Sequence, residues 1–397
     1  MPAYAFELIT AQEARSLSAG DTVTFKGPPA RTASVAYQAF DPLALPAPGV
    51  VPGILVTYDG HAVAFSTALA QISKAGGLTM ADGSQLYIGD LGNDRVATGG
   101  GDDGLYGGPG HDTLSGGAGR DLLQGNSGDD ALVGGSGADT LFGGQGDDAI
   151  YVSSAPGGVV GDVGDFAHGN LGDDFIFGGS GSDTLLGGQG MDDIQGADGG
   201  DWLSGDLGDD TLMGGLGDDS LQGGAGADRL DGDFGSNLLR GGDGDDRLAT
   251  RGPETSNLYG DAGNDTLSTS GGGQDVLFGG TGRDRFEFVA GVSPAAGVEA
   301  EIRDWETGDQ LSFAAVGTLG NLSLPALSYS EFVAGSYAEA LVTANQHMAG
   351  AGTRYVAAQV GSDVFVFVDI DGPSDGADTA IRLVGRNLSD IGLEAFS

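Results

Sequence analysis

Cysteine is absent from this 397-residue chain, which excludes disulfide staples, thiolate metal ligands and a cysteine nucleophile. Basic residues are scarce: Lys and Arg number 16 against 57 Asp and Glu, a formal net charge of −41. Such a charge repels a nucleic-acid backbone or an anionic membrane, so neither is expected as a partner, and cations become the first partner class. No stretch reaches the roughly 18 apolar residues of a membrane-spanning helix. The opening residues, MPAYAFELITAQEAR, lack the basic segment and apolar run of a secretory leader. Export is therefore expected to follow a route that needs no N-terminal signal.

Catalytic signatures are missing too. The chain has no HExxH helix for a zinc protease, no GxSxG elbow for an esterase and no Walker A lysine. Its four histidines, His61, His111, His168 and His347, are scattered. A non-enzymatic protein is expected.

What the chain has in excess is glycine: 78 residues, roughly one in five against a usual share near 7%. Glycine at this density argues for turns rather than packed helices. Three regions follow. Residues 1–88 are glycine-poor and read as a small antiparallel β domain, with DTVTF at 21, ASVAYQAF at 33, and a hairpin signalled by Tyr58-Asp59-Gly60-His61. Within it, Pro42 to Pro52 reads as a loop and Thr67 to Lys74 as one helical turn. Residues 89–287 repeat with a period of nine. Residues 288–397 lose the repeat and regain β alternation, as in DVFVFVDID at 363 and DTAIRLVG at 378, with a helix expected over Ser330 to His347. The acidic cluster Asp369, Asp371, Asp375 and Asp378 reads as polar turn residues, with another calcium loop as the alternative.

The nonapeptide reads directly from the sequence: GGPGHDTLS from Gly107, GGAGRDLLQ from Gly116, GGSGADTLF from Gly134 and, after an irregular patch, GGSGSDTLL, GDLGDDTLM and GGTGRDRFE. It is Gly-Gly-x-Gly-x-Asp-x-U-x with U aliphatic or aromatic, and about twenty units occur, interrupted near 152–168 and 250–258. Six positions are expected to form a turn and three a short strand that points only U inward. The U positions run Val96, Leu105, Leu114 and onward to Leu277 and Phe286, a core one residue wide. Two units make one coil, and coils stack at the spacing of a sheet, about 4.8 Å. Outward positions seven and nine would place Tyr106, Phe142, Tyr151, Phe175, Phe177, Leu186, Trp202 and Met213 on the faces of the roll.

The turns then line up in two columns, each turn offering carbonyl oxygens and one sixth-position carboxylate. The candidate metal ligands are Asp94, Asp103, Asp112, Asp121, Asp130, Asp139, Asp148, Asp174, Asp183, Asp192, Asp201, Asp210, Asp219, Asp228, Asp246, Asp265, Asp275 and Asp284. An oxygen-only cage suits Ca²⁺ and is unattractive to zinc or copper. One ion per regular unit gives about 18 ions. Without them the carboxylates repel, and so thin a core cannot offset the entropy of ordering the glycines. Asn237 and Ser256 replace the sixth-position Asp, and Phe166 falls near that slot in a unit one residue short.

These repeats resemble the RTX family of calcium-binding nonapeptide proteins. The resemblance implies an all-β fold, a calcium-stabilised parallel β-roll flanked by small N- and C-terminal β domains. The tail, with IRDWETGDQLSF from Ile302 and LSDIGLEAFS at the end, is similar to C-terminal type I secretion signals. By that resemblance the chain leaves through type I secretion machinery and folds on calcium outside the cell. The expected role is a secreted structural protein that self-associates into a filament, matrix or surface layer. An adhesin binding a glycan through residues 1–88 is the alternative, and an enzyme acting on polysaccharide a more distant one.

Overall fold

Alternation of one large apolar residue with small or polar neighbours every nine residues requires each strand to bury a single side chain, and the fold is built on that requirement. The computed structural model describes residues 3–5, 22–25, 33–38, 53–58, 61–66, 73–74, 78–80, 82–153, 163–290, 300–315, 329–351, 355–369, 377 and 379–391. It divides into two units, Met1–Asp198 and Gly199–Ser397.

In the first unit, alternate nonapeptides feed two parallel sheets. One contains Leu86–Ile88, Gly104–Pro109, Leu122–Ser127, Thr140–Gln145, Phe166–Leu171 and Thr184–Gln189. The other contains Arg95–Ala97, Thr113–Ala118, Ala131–Ser136, Ala149–Ser153, Phe175–Ser180 and Asp193–Asp198. Register is strict: Leu114 pairs with Leu132, and Leu132 with Ile150. Residues 61–66 pair antiparallel with Gly53–Tyr58 through Tyr58↔His61, the expected hairpin. Ala3–Ala5, Thr22–Phe25 and Leu78–Met80, by contrast, pair in parallel. Long connections return each of these strands to the same end, which a purely antiparallel reading missed. Of the expected helical turn, Ser73–Lys74 is helical; the Pro42–Pro52 loop lies outside the described residues.

The second unit repeats the pattern. Trp202–Leu207, Ser220–Ala225, Leu238–Asp243, Asn257–Ala262 and Asp275–Phe278 form one parallel series. Thr211–Leu216, Arg229–Phe234, Arg247–Arg251, Thr266–Ser270 and Arg285–Ala290 form the other. Pairing continues beyond the last nonapeptide: Gln310–Ala315 adds to Arg285–Ala290, and Ala300–Ile302 joins Asp275–Phe278 to Thr379–Leu383. Tyr355–Val360, Asp363–Val368 and Thr379–Leu383 then run antiparallel. A helix, Tyr337–Ala351, packs Ala340, Ala344 and Met348 on Val356, Phe367 and Ala380. The helix starts later than expected, because Ser330 belongs to the strand Tyr329–Ala334.

Most nonapeptide strands are six residues long, not three. Thr113–Ala118 takes in positions seven to nine and the first three of the next unit, and its burial alternates so that Leu114 and Gly116 both face inward. The inward leucines from Leu105 to Leu277 are at most 1% exposed, whereas Val96, in a first strand, is half-buried. The first glycine is therefore a core position. A Cβ on Gly178 would lie 2.6 Å from both Asp183 Oδ2 and the Gly196 carbonyl oxygen, so its missing side chain makes room for the carboxylate of its own turn. At irregular places the same slot holds a larger residue: Val152, Thr250, Thr269 and Phe288, all buried.

Gly178→Ala should accordingly lower stability in calcium by about 1–3 kcal/mol through overpacking, whereas Gln189→Ala, exposed at the end of the strand Thr184–Gln189, should stay within about 0.5 kcal/mol. Denaturant unfolding of the two variants checks this.

Candidate metal centre

The sixth-position residue closes each turn just before the chain re-enters a strand, and the inward tilt of that position takes its carboxylate out of water. All eighteen candidate aspartates are buried, between 0% and 5% exposed. One carboxylate oxygen has a fixed job. In the first unit Asp130 Oδ1 accepts the Asp112 N–H at 2.7 Å and Asp148 Oδ1 accepts the Asp130 N–H at 2.8 Å. In the second unit Asp228 and Asp246 serve Asp210 and Asp228 in the same way, each at 2.8 Å. Each Asp thus reaches back one coil to hold the preceding turn.

The other oxygen is the anomaly. Oδ2 of Asp112, Asp121, Asp130, Asp148 and Asp174, and in the second unit of Asp219, Asp228, Asp246, Asp265 and Asp284, is buried with no hydrogen-bond partner. A buried acceptor left unpaired is costly, and a charged one more so. Burial pushes these carboxyls up, with neighbouring carboxylates adding to it and the accepted N–H opposing it: Asp112 and Asp121 to about 6, Asp130, Asp148 and Asp174 to about 7. Asp219 and Asp284 rise to about 6, Asp246 and Asp265 to about 7.

Two turns of the second unit show what the orphaned oxygen lacks. Asn237 keeps the ladder, accepting the Asp219 N–H on Oδ1 at 2.9 Å, but its Nδ2 donates to the Gly232 carbonyl at 2.9 Å. Ser256 accepts the Asn237 N–H and donates its hydroxyl to the Gly235 carbonyl at 3.2 Å. Where a donor stands, the turn is satisfied. Where an Asp stands, Oδ2 occupies the place of that Nδ2 beside the first glycine, and an acceptor faces an acceptor. Only a proton or a cation resolves such a contact.

Among the described residues no three His, Asp or Glu side chains converge. A bound cation must therefore draw on backbone carbonyls alongside one carboxylate per turn. That all-oxygen donor set fits Ca²⁺, a hard cation tolerant of irregular geometry, better than Mg²⁺ or a transition metal. When bound, the ion supplies the positive charge that the paired oxygens need; the protein supplies their spacing.

The ladder also includes residues that sequence reasoning missed. Asp165, not Phe166, fills the sixth slot of the irregular unit: its Oδ1 accepts the Asp139 N–H at 2.7 Å, 26 residues away instead of the usual 18, and Ala167 takes the inward position. Val163 opposes Gly181, so it stands where the fourth glycine belongs and hides the register. Counting back from Ala167 rather than forward from glycine restores it. Asp309, in the tail, accepts the Asp284 N–H at 3.0 Å and extends the ladder; Gly308-Asp309 followed by Leu311 was its signal. Asp94 differs from its fellows, because the Lys74 ammonium contacts its Oδ1 and lies 2.7 Å from Asp90 Oδ2. A tethered cation already meets the first carboxylate.

A family model, the RTX calcium-binding nonapeptide repeat, matches residues 88–123, 124–154, 160–194, 186–221, 222–251 and 256–286. The chain belongs to the RTX family. Nonapeptides of RTX proteins bind calcium, which agrees with the donor set reached above. Among solved structures, the AlgE6R3 subunit of the mannuronan C5-epimerase from Azotobacter vinelandii is similar at 23% identity, over 49% of this chain and 80% of that one, with a TM-score of 0.23. The extracellular lipase LipA from Serratia marcescens is similar at 16% identity, over 60% of this chain and 40% of that one, with a TM-score of 0.17. No curated protein sequence matches the chain.

Two outcomes test the RTX ladder. Because the folded carboxyls lie near 6 to 7 against an ordinary 3.8, the calcium-free roll binds more protons than the unfolded chain. Its stability is then greatest at low pH and falls as pH rises through those values. In chelator, acidifying from about pH 8 to about pH 5 should raise the β-sheet signal in circular dichroism, while the affinity of the folded roll for calcium should fall as protons compete for the same oxygens. Second, Asn237→Asp trades a donor for an orphaned acceptor. It should gain a bound ion in calcium, measured by equilibrium dialysis, and make folding of that turn depend on it; an unchanged ion count would contradict the reading.

Proposed function

We propose that this RTX protein is a secreted structural protein that folds on extracellular calcium and self-assembles into a filament, matrix or surface layer. The observation that carries the reading is the row of buried, unpartnered Asp Oδ2 atoms in each unit. A roll with one inward leucine per nonapeptide has little apolar burial to set against that cost, so its fold depends on an ion that is abundant outside the cell and scarce within it.

In this proposal each of the eighteen aspartates from Asp94 to Asp284 gives one carboxylate to an ion, about one ion per regular unit. Residues 1–88 and 288–397 act as end domains on a roll spanning 89–287, and the C-terminal part also carries the type I secretion signal. No helix among the described residues is long and apolar enough to cross a membrane.

Self-assembly is supported by what the roll leaves uncovered. In the second unit Trp202, Leu207, Met213, Leu216 and Phe234 are 43–55% exposed, and exposed apolar rows of this kind mark contacts. Not every outward aromatic is available. Tyr106 is buried at 1% exposure, its hydroxyl donating to the Ala33 carbonyl, so the N-terminal segment covers that part of the first unit. Phe142 and Phe166, and Tyr151 with Phe175, pack ring against ring at 5.7 Å. The role is proposed as non-enzymatic: His111 Nδ1, for example, is taken up in accepting the Asp129 N–H within the repeat turns.

Purified protein moved from chelator into millimolar calcium should form ordered polymers, seen by electron microscopy and light scattering and dissolved again by chelator. A monodisperse monomer in calcium would sink the assembly reading.

A further inference from the structure

Charge is distributed unevenly along the roll. Residues 121–228 contain 21 aspartates and no Lys or Arg, whereas residues 229–285 contain six arginines. Three of those six share one outward row of the second unit. Arg229 pairs in register with Arg247, Arg247 with Thr266, and Thr266 with Arg285. All three arginines are exposed. Like charges opposite each other on neighbouring strands are unfavourable, and compensation is thin here. Glu287 lies 2.8 Å from Arg285 and 3.8 Å from Arg247, while Arg229 makes no ion pair among the described residues.

The first unit carries the complementary row. Asp129, Asp147 and Asp173 occupy the fifth position of three successive coils and are exposed. Each uses one oxygen to accept the N–H one coil on, from Asp147 at 3.1 Å, Asp173 at 2.9 Å and Met191 at 2.8 Å. Those bonds hold the carboxylates in line; the second oxygen of Asp129 lies 3.6 Å from His111 Nδ1. Unlike the sixth-position carboxylates, these are exposed on the turns.

We propose that the arginine row Arg229, Arg247 and Arg285 docks on the carboxylate row Asp129, Asp147 and Asp173 of a second copy of this chain. Both rows step by the same strand spacing, about 4.8 Å, so Arg229 and Arg247, on neighbouring strands, match two successive carboxylates, while Thr266 stands between Arg247 and Arg285 and sets Arg285 one strand farther along. Planar guanidinium groups suit carboxylates through paired N–H donors. The two surfaces differ, so the contact is heterologous and propagates into an open polymer instead of closing as a dimer. Calcium comes first, because neither row exists until the coils stack. This rests on the self-assembly reading above and names its surfaces.

The test uses the full chain in millimolar calcium with nothing else added, followed by sedimentation and light scattering across concentrations and sodium chloride levels. Arg229→Glu/Arg247→Glu should raise the concentration needed for assembly by about tenfold or more, as should Asp129→Asn/Asp147→Asn/Asp173→Asn, which keeps the N–H acceptors but removes the charge. Added salt should weaken wild-type assembly. Circular dichroism and calcium counts matching wild type confirm that the variants fold. If wild type assembles and both variants match it, this docking is wrong while the assembly reading stands. If wild type stays monomeric, both fall. If association appears only after an acidic polysaccharide is added, the arginine row serves that polymer and the proposal is overturned.

Discussion

Two oxygens facing each other inside a turn are the constraint on which this molecule depends. A sixth-position carboxylate is drawn into the roll, gives one oxygen to the turn behind it and is left with a second oxygen that no donor reaches. Everything distinctive in the repeat serves that arrangement. The first glycine has no Cβ because the carboxylate needs the space. The fourth glycine adopts φ values such as +112° at Gly128, where a side chain would press on the Gly110 carbonyl one coil back. The inward leucine anchors each strand but is too sparse a core to carry the electrostatic cost alone.

The turns that break the rule support this account. Asn237 and Ser256 put a donor where the carboxylate would stand and bond the turn carbonyls without help. Arg251 nearby pairs with Asp231 and Asp233 at 2.7 and 3.1 Å, so this stretch carries its own positive charge. Lys74 does likewise at Asp94. Where a proton donor or a basic side chain is built in, the turn oxygens have a partner without an external cation.

Much of this was legible from the period of nine, since a one-dimensional repeat writes its three-dimensional contacts as residue spacing. The leucine column and all eighteen buried aspartates follow from counting. The misreadings occur where contact and count part company. Asp165 and Asp309 sit at spacings of 26 and 25 residues from the partners that precede them, so no fixed period counted forward reaches them. Most of the repeat strands are six residues long because a glycine can pair and face inward while looking, in sequence, like part of a turn. Burial of Tyr106 depends on Ala33, 73 residues away, a contact that no local pattern encodes. Residues 1–88 carry no repeat, and their parallel strands are set by tertiary return rather than by alternation.

The most direct measurement is the far-ultraviolet circular dichroism of the full chain during a calcium titration at neutral pH, beginning in chelator. The expected result is a largely unfolded starting state and a cooperative, chelator-reversible gain of β structure as calcium fills the turns. A chain that already shows its complete β signal in chelator, unchanged by calcium, would contradict the claim that a cation between facing oxygens holds the roll together.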